Sequence, residues 1–226
     1  MITTKHIVFL LFFPACALFT SCFQIIEEIT VGEDGSGTAV LTVNLSQSRS
    51  KLASVMLLDS INGHKVPSKQ EIRKEMEAAV NTLRSIKGIS KVSHTVDFDK
   101  YIMSIRFSFE KVANLNDITS LIFDKLKIKS TDNSAYSYHP ASKMFNRYYT
   151  YNPQAKSEYG KLKQTDKEIF QNATYTSIYR FGRAVAKQSN DKAKVSASKQ
   201  AVMLQCGVLD LIEGKINISN NIQLAQ

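Results

Sequence analysis

The chain has 226 residues, of which 43% are hydrophobic, and a formal net charge of +9. That length and apolar content suffice for one large or two small domains with a real core. Beyond the N-terminus no long apolar run recurs, which excludes a spanning helix from the mature chain, and the excess charge is confined to one half. Residues 22–126 carry 13 Lys+Arg against 13 Asp+Glu, and residues 127–226 carry 15 against 7, a surplus of +8.

Lys5 and His6 form a short positive segment, Ile7 to Phe13 an apolar run, and Pro14 to Ser21 a stretch ending in small residues. An apolar run this short falls well below the ~20 residues of a spanning helix and reads as a cleavable secretory signal over residues 1–21. The segment Leu18-Phe19-Thr20-Ser21-Cys22 resembles the lipobox of bacterial lipoproteins, with Phe19 standing where that family usually has leucine. The resemblance implies cleavage by signal peptidase II before Cys22, a diacylglyceryl group on its thiol, and a palmitate-bearing anchor. The alternative is an ordinary thiol behind an ordinary secretory signal. Cysteine usage favours the anchor: Cys16 leaves with the signal, Cys22 is lipidated, and Cys206 has no partner in an exporting, oxidising setting. Cys206, in an apolar run, is expected to be a small buried core residue.

The mature chain begins with alternation. Ile25, Glu27, Ile29 and Val31, then Ala39, Leu41, Val43 and Leu45, flank the turn residues Asp34-Gly35-Ser36-Gly37, which predicts a β-hairpin. Lys51 to Ile61 reads as a short apolar helix ended by Asn62-Gly63. Ser68 and Glu71 have capping-box spacing, and Ile72, Met76, Ala79, Val80, Leu83 and Ile86 form one face of a helix stopped by Gly88. Val92, Val96 and Phe98 line one strand, and Met103, Ile105, Phe107 and Phe109 line its partner. A helix follows from Asn114 to Leu126. The order ββ-αα-ββ-α predicts an α+β fold, with helices on one face of an antiparallel sheet.

The second half predicts a β-rich continuation. Ser130 to Ser134 and Asn152 to Gly160 read as polar turns around a tyrosine-dense strand or hairpin from Tyr136 to Tyr151, and Thr165 to Gln171 as one or two helical turns. Thr174 to Gln188 and Lys194 to Leu209 read as a strand pair joined by Ser189 to Lys192, and Ile216 to Leu224 as a terminal strand. No repeat or linker separates residues 22–126 from 127–226, so the two halves are expected to form one continuous unit.

The hairpin just after Cys22, with Asp34-Gly35-Ser36-Gly37 and the ending Asn44-Leu45-Ser46, resembles the start of uncharacterised Bacteroidota envelope lipoproteins and, more distantly, of LppM-like lipoprotein domains. Lys194-Val195-Ser196 and Leu209-Asp210-Leu211 add to the likeness. The resemblance implies an envelope lipoprotein of the outer membrane that binds something, with no catalytic residues to carry over. Asp59-Ser60-Ile61 has the short form at which that group attaches O-glycans.

Chemistry-bearing motifs are sparse. His64, His94 and His139 are isolated from one another and from Cys206, with no HExxH or CxxC, so neither a metal site nor a cofactor is expected. No GxSxG, Walker or GxGxxG motif occurs. Glu27 and Glu28 are adjacent in a strand and point to opposite faces, while Asp97 and Asp99 flank a turn where carboxylates cap backbone N–H groups; neither pair predicts acid–base catalysis. What stands out is clustering. Eight of nine tyrosines lie in the basic half, and Tyr138, Tyr148, Tyr149 and Tyr151 are interleaved with Lys143, Arg147, Lys161 and Lys163. Flat amphipathic rings among cations suit an anionic lipid, a glycan or an acidic envelope protein, whereas the envelope address excludes nucleic acid. The competing reading is a tyrosine-rich sheet covering a core. The sequence thus predicts a lipid-anchored binding or structural module, with a hydrolase using an unrecognised site as the alternative.

Overall fold

The computed structural model describes residues 23–61, 63–116, 118 and 134–226. Alternating side chains put Gln24–Val31 (β1) and Gly37–Asn44 (β2) into an antiparallel hairpin in which Ile29 faces Ala39 and Val31 faces Gly37. Asp34 closes its tip by accepting the Ser36 N–H at 2.9 Å, next to Gly35 at φ 84°. The expected turn is therefore in place.

The next element departs from expectation. Helix α1 spans only Arg49–Val55, and Ser60–Ile61 (β3) pairs with His64–Lys65 (β4) across Gly63 at φ 86°. Gly63 thus serves a hairpin rather than a helix end, because its left-handed backbone suits either role. Lys69–Arg84 (α2) starts as predicted: the Glu71 N–H donates to Ser68 Oγ at 3.2 Å, and the Ser68 N–H donates to Glu71 at 2.8 Å. Val80 and Leu83 bury its apolar stripe against Ile89–Asp97 (β5). A turn in which Asp97 accepts the Asp99 and Lys100 N–H groups leads to Ile102–Phe109 (β6). Asn114 to Asn116 and Ile118 are helical; the rest of the expected helix to Leu126, and most of the polar stretch from Ser130, lie outside the described residues.

In the second half, Ser134–His139 (β7) and Met144–Tyr149 (β8) form the expected hairpin. Asn152 to Gly160, expected as turns, is instead mostly helix: Pro153–Lys161 (α3) has proline in its first turn, and Asn152 caps it by accepting the Gln154 N–H at 2.9 Å. Gln164–Lys167 (α4) supplies the expected helical turns. Thr174–Phe181 (β9) and Ala201–Gly207 (β12) do pair, but the chain leaves their sheet after Phe181. Val185–Gln188 (β10) joins another sheet, Lys194–Val195 (β11) pairs with β12, and Val208–Ile212 (α5) replaces the end of the expected strand. Asn220–Leu224 (β13) is the last strand.

The large sheet has seven strands in the order β11-β12-β9-β1-β2-β6-β5, and the small one four in the order β10-β13-β8-β7. All neighbours are antiparallel except β1 and β9, which run parallel with Gln24 beside Thr174. Strands of both halves of the chain therefore share one sheet, and the α+β architecture with a β-rich second half is as the sequence predicts. One face of the large sheet carries Ile29, Val31, Phe107, Tyr179, Phe181 and Val202, all buried. Helix α2 covers its β5 side. The small sheet covers its β9 side, with the fully buried Phe145 ring 5.0 Å from Tyr179 and 5.6 Å from Phe181. Gln24, Asn44, Ile102, Thr174 and Gly207 mark one end of this sheet, the proximal end, where Phe23 lies.

Candidate functional site

Glu27 shares the apolar phase of β1 with Ile25, Ile29 and Val31, so strand geometry aims its carboxylate inward. Three tyrosine hydroxyls donate to it: Tyr136 at 2.8 Å and Tyr179 at 3.3 Å to Oε1, and Tyr175 at 3.0 Å to Oε2. Tyr175 and Tyr179 come from the neighbouring strand, Tyr136 from the small sheet. Arg147, opposite Tyr136 in β8, is 5% exposed, sets its guanidinium 4.3 Å from the Tyr136 ring centre and hydrogen-bonds Tyr179. Burial pushes all three tyrosine hydroxyls above their ordinary range, and the Glu27 charge pushes them further, so they remain neutral donors. Burial alone would pull Arg147 down, but the oxygens of Tyr136, Tyr179 and Glu27 outweigh it and keep the guanidinium charged. The network joins a half-buried carboxylate to the buried hydroxyls and guanidinium around it and pins one sheet on the other. A cavity of about 110 Å³ adjoins Glu27 and Tyr136, walled by Ile29, Leu41, Phe107 and Leu115. Glu28 faces the other way and pairs with Arg180 at 3.1 Å, so the two neighbouring carboxylates serve different faces.

Two larger cavities of about 250 and 300 Å³ lie at the proximal end and share Leu45, Leu52, Val55 and Ile61. The first continues between α1, α2 and the β5–β6 turn, with Met56, Val66, Ile72, Phe98 and Met103 in its wall. The second is bounded by Phe23, Ile169 and Thr165, with Lys51, His64 and Asp166 as its charged or titratable groups. Helix α1 and the β3–β4 hairpin together form an arm laid over both. The reason is local: β2 ends at the proximal end, and Leu45, Leu52 and Val55 turn their apolar side chains under the arm rather than into the main core.

The tyrosine and cation set singled out from the sequence is not one surface. Tyr138 packs over Gly35 at the far end of the sheet, near Glu33, and Lys143 reaches Gln226 at 3.2 Å. Arg147 is interior. Tyr148, 51% exposed, points away from it by strand alternation. Tyr149 packs on the cluster of Tyr175, Leu204, Cys206 and Ile218, and Tyr151 donates to the Ile212 carbonyl at 3.3 Å. Lys161 pairs with Glu158 at 2.6 Å, and Lys163 precedes α4. Tyr138 and Tyr149 thus pack partly buried against the core clusters, Tyr148 stays exposed, and Arg147 lies in the interior and not on a surface. The signal for the buried network was phase: Glu27 and Arg147 each occupy a position at which their strand's other residues are apolar.

Cys206 is buried as expected, and that burial, with Asp210 nearby, pushes its thiol up to about 11. His94 lies 3.8 Å from Glu77 and His64 3.7 Å from Asp166; among the described residues no group of three or more His, Cys, Asp or Glu side chains could hold a metal ion. No described helix is long and apolar enough to cross a membrane.

No protein-family model matches the chain, and no curated protein matches it. Among solved structures it is similar to the folded domain of LppM from Mycobacterium tuberculosis, determined by NMR, with 12% identity over 89% of this chain and 88% of that one and a TM-score of 0.44.

Proposed function

We propose that the protein is an envelope lipoprotein held to the outer membrane through Cys22, and that its folded part is a non-enzymatic module binding an anionic lipid. The observation that carries this reading is the pair of apolar cavities at the proximal end. Phe23, the residue after Cys22, is in the wall of one of them. A lipid on Cys22 therefore brings these cavities to the bilayer with no intervening linker. Their volumes fall near the lower end of the roughly 300–1,000 Å³ typical of small-molecule sites, and their walls suit acyl chains. Lys51 borders the second cavity, where it can meet a headgroup phosphate, while Lys65 at the first is held by Glu71 at 2.6 Å. A glycan would need stacked, exposed rings, and the tyrosines of β7 and β8 are mostly turned inward, so a lipid is favoured over a glycan or an acidic protein.

The test has two arms. Radioactive palmitate should label the wild-type chain and leave Cys22→Ala unlabelled and unprocessed; normal maturation of the variant would overturn the anchor. The purified full chain should bind a fluorescent phosphatidylglycerol, and Leu52→Trp, which fills space shared by both cavities, should lose most of that binding while keeping its melting temperature. Undiminished binding would overturn the lipid site, and release of a cleaved lipid product would favour a hydrolase instead.

A further inference from the structure

The arm over these cavities ends in side chains that nothing in the fold covers. Leu57 is 87% exposed and Leu58 50%, in the turn between Met56 and Ile61, both of which line cavities beneath. Ile61 at 36% and Ile169 at 40% continue the apolar rim across the mouth of the second cavity. Single exposed leucines are common on soluble proteins, but here the most exposed large apolar side chain among the described residues has exposed apolar neighbours at one pole of the molecule.

Position says what covers them. Helix α1 leaves β2 at the proximal end, where the described chain starts at Phe23, and α4 leads into β9 at the same end. Arg49 and Lys51 flank the arm's apolar tip together with Asp59, while Lys65 is paired with Glu71 at 2.6 Å and Asp166 lies in the wall of the second cavity, so Arg49 and Lys51 are the cations the arm can offer an anionic surface. We infer that Leu57 and Leu58 insert into the interfacial layer of the bilayer that carries the Cys22 lipid, making the arm a second membrane contact and turning the cavities beneath it toward the lipid. This rests on the anchoring reading above. The logic is that of two-signal attachment: the covalent lipid holds the protein at the surface, and a small apolar wedge among cations fixes its orientation there.

The chain contains no tryptophan, so one introduced indole reports its own surroundings. Leu57→Trp, with Leu58→Trp as a second position, would be prepared as the lipidated full chain in vesicles of phosphatidylethanolamine and phosphatidylglycerol with brominated acyl chains. The control is Ala197→Trp, exposed in the turn before β12 at the opposite end of the sheet. The arm variants should emit at shorter wavelength than the control and be quenched by bromine but not by aqueous iodide, while the control shows the reverse. Arm indoles that behave like the control, in protein whose N-terminal peptide carries diacylglycerol by mass spectrometry, would overturn the membrane contact alone. An unmodified N-terminal peptide would overturn the anchoring reading, and this inference with it.

Discussion

Replacing Glu27 by alanine tests the interior network directly. The substitution removes an acceptor shared by Tyr136, Tyr175 and Tyr179, which are 6%, 9% and 3% exposed. A buried hydroxyl left without a partner costs about 1–3 kcal/mol, and three would cost about 3–9 kcal/mol if none found another acceptor. The cavity of about 110 Å³ beside Glu27 has room for water and moderates this loss. Removing the carboxylate also leaves Arg147 without the negative charge it faces. Glu27 is itself half-buried, so water replaces part of what it accepts, and Glu27→Ala should cost about 2–4 kcal/mol. Glu27→Gln keeps an acceptor oxygen and should cost only about 1–2 kcal/mol, and Tyr175→Phe about 1 kcal/mol. Urea unfolding followed by circular dichroism would give each value, with unchanged m-values licensing the comparison. The double variant Glu27→Ala/Tyr175→Phe should be less destabilised than the sum, because the second change removes a group the first has stranded. A Glu27→Ala protein within about 0.5 kcal/mol of wild type would refute the network's structural role.

Leu83→Ala, in the buried stripe of α2, should cost about 2–5 kcal/mol, while the exposed Lys74→Ala should change stability by less than about 0.5 kcal/mol; equal effects in thermal melts would misplace the helix face. Alkaline titration provides a sign test. Because folding raises the pKa values of Tyr136, Tyr175 and Tyr179, the stability they carry is intact below the ~10 of an unfolded tyrosine and is lost as pH climbs above it. Unfolding and phenolate absorbance should therefore rise together, and separate transitions would refute the coupling. Cys206, with its thiol at about 11, should resist iodoacetamide at mildly alkaline pH until denaturant is added.

Local signals were the legible part of this chain. The Asp34 turn, the Ser68–Glu71 capping box and the Asp97 turn are each closed by bonds spanning two or three residues, so their residue types declare them. Helix α3 was also declared, by Asn152 capping and Pro153 behind it, but its polar composition gave no stripe to confirm it. Other features have no local signature. The passage of the chain from β9 into the small sheet depends on what β13 offers β10, and the parallel β1–β9 pairing on segments far apart in sequence. The cationic tyrosine cluster looked like a surface because composition cannot say which way a strand's faces turn. Arg147 lies inward only because Tyr136, Tyr179 and Glu27 meet it from three other strands.

The parallel pairing of β1 with β9 also governs how the chain can be built. Glu27 and Tyr175, bonded in the finished protein, are separated by 148 residues. Because the chain is made N-terminus first, β1 and β2 are complete while one edge of their hairpin is still open, and that edge stays open until more than half of the remaining chain has followed. Closing so long a loop is slow, and an unpaired apolar edge is prone to wrong partners in the meantime. The topology thus leaves a window in which the first hairpin depends on being shielded, and chains truncated ahead of Thr174 are left with that edge permanently open.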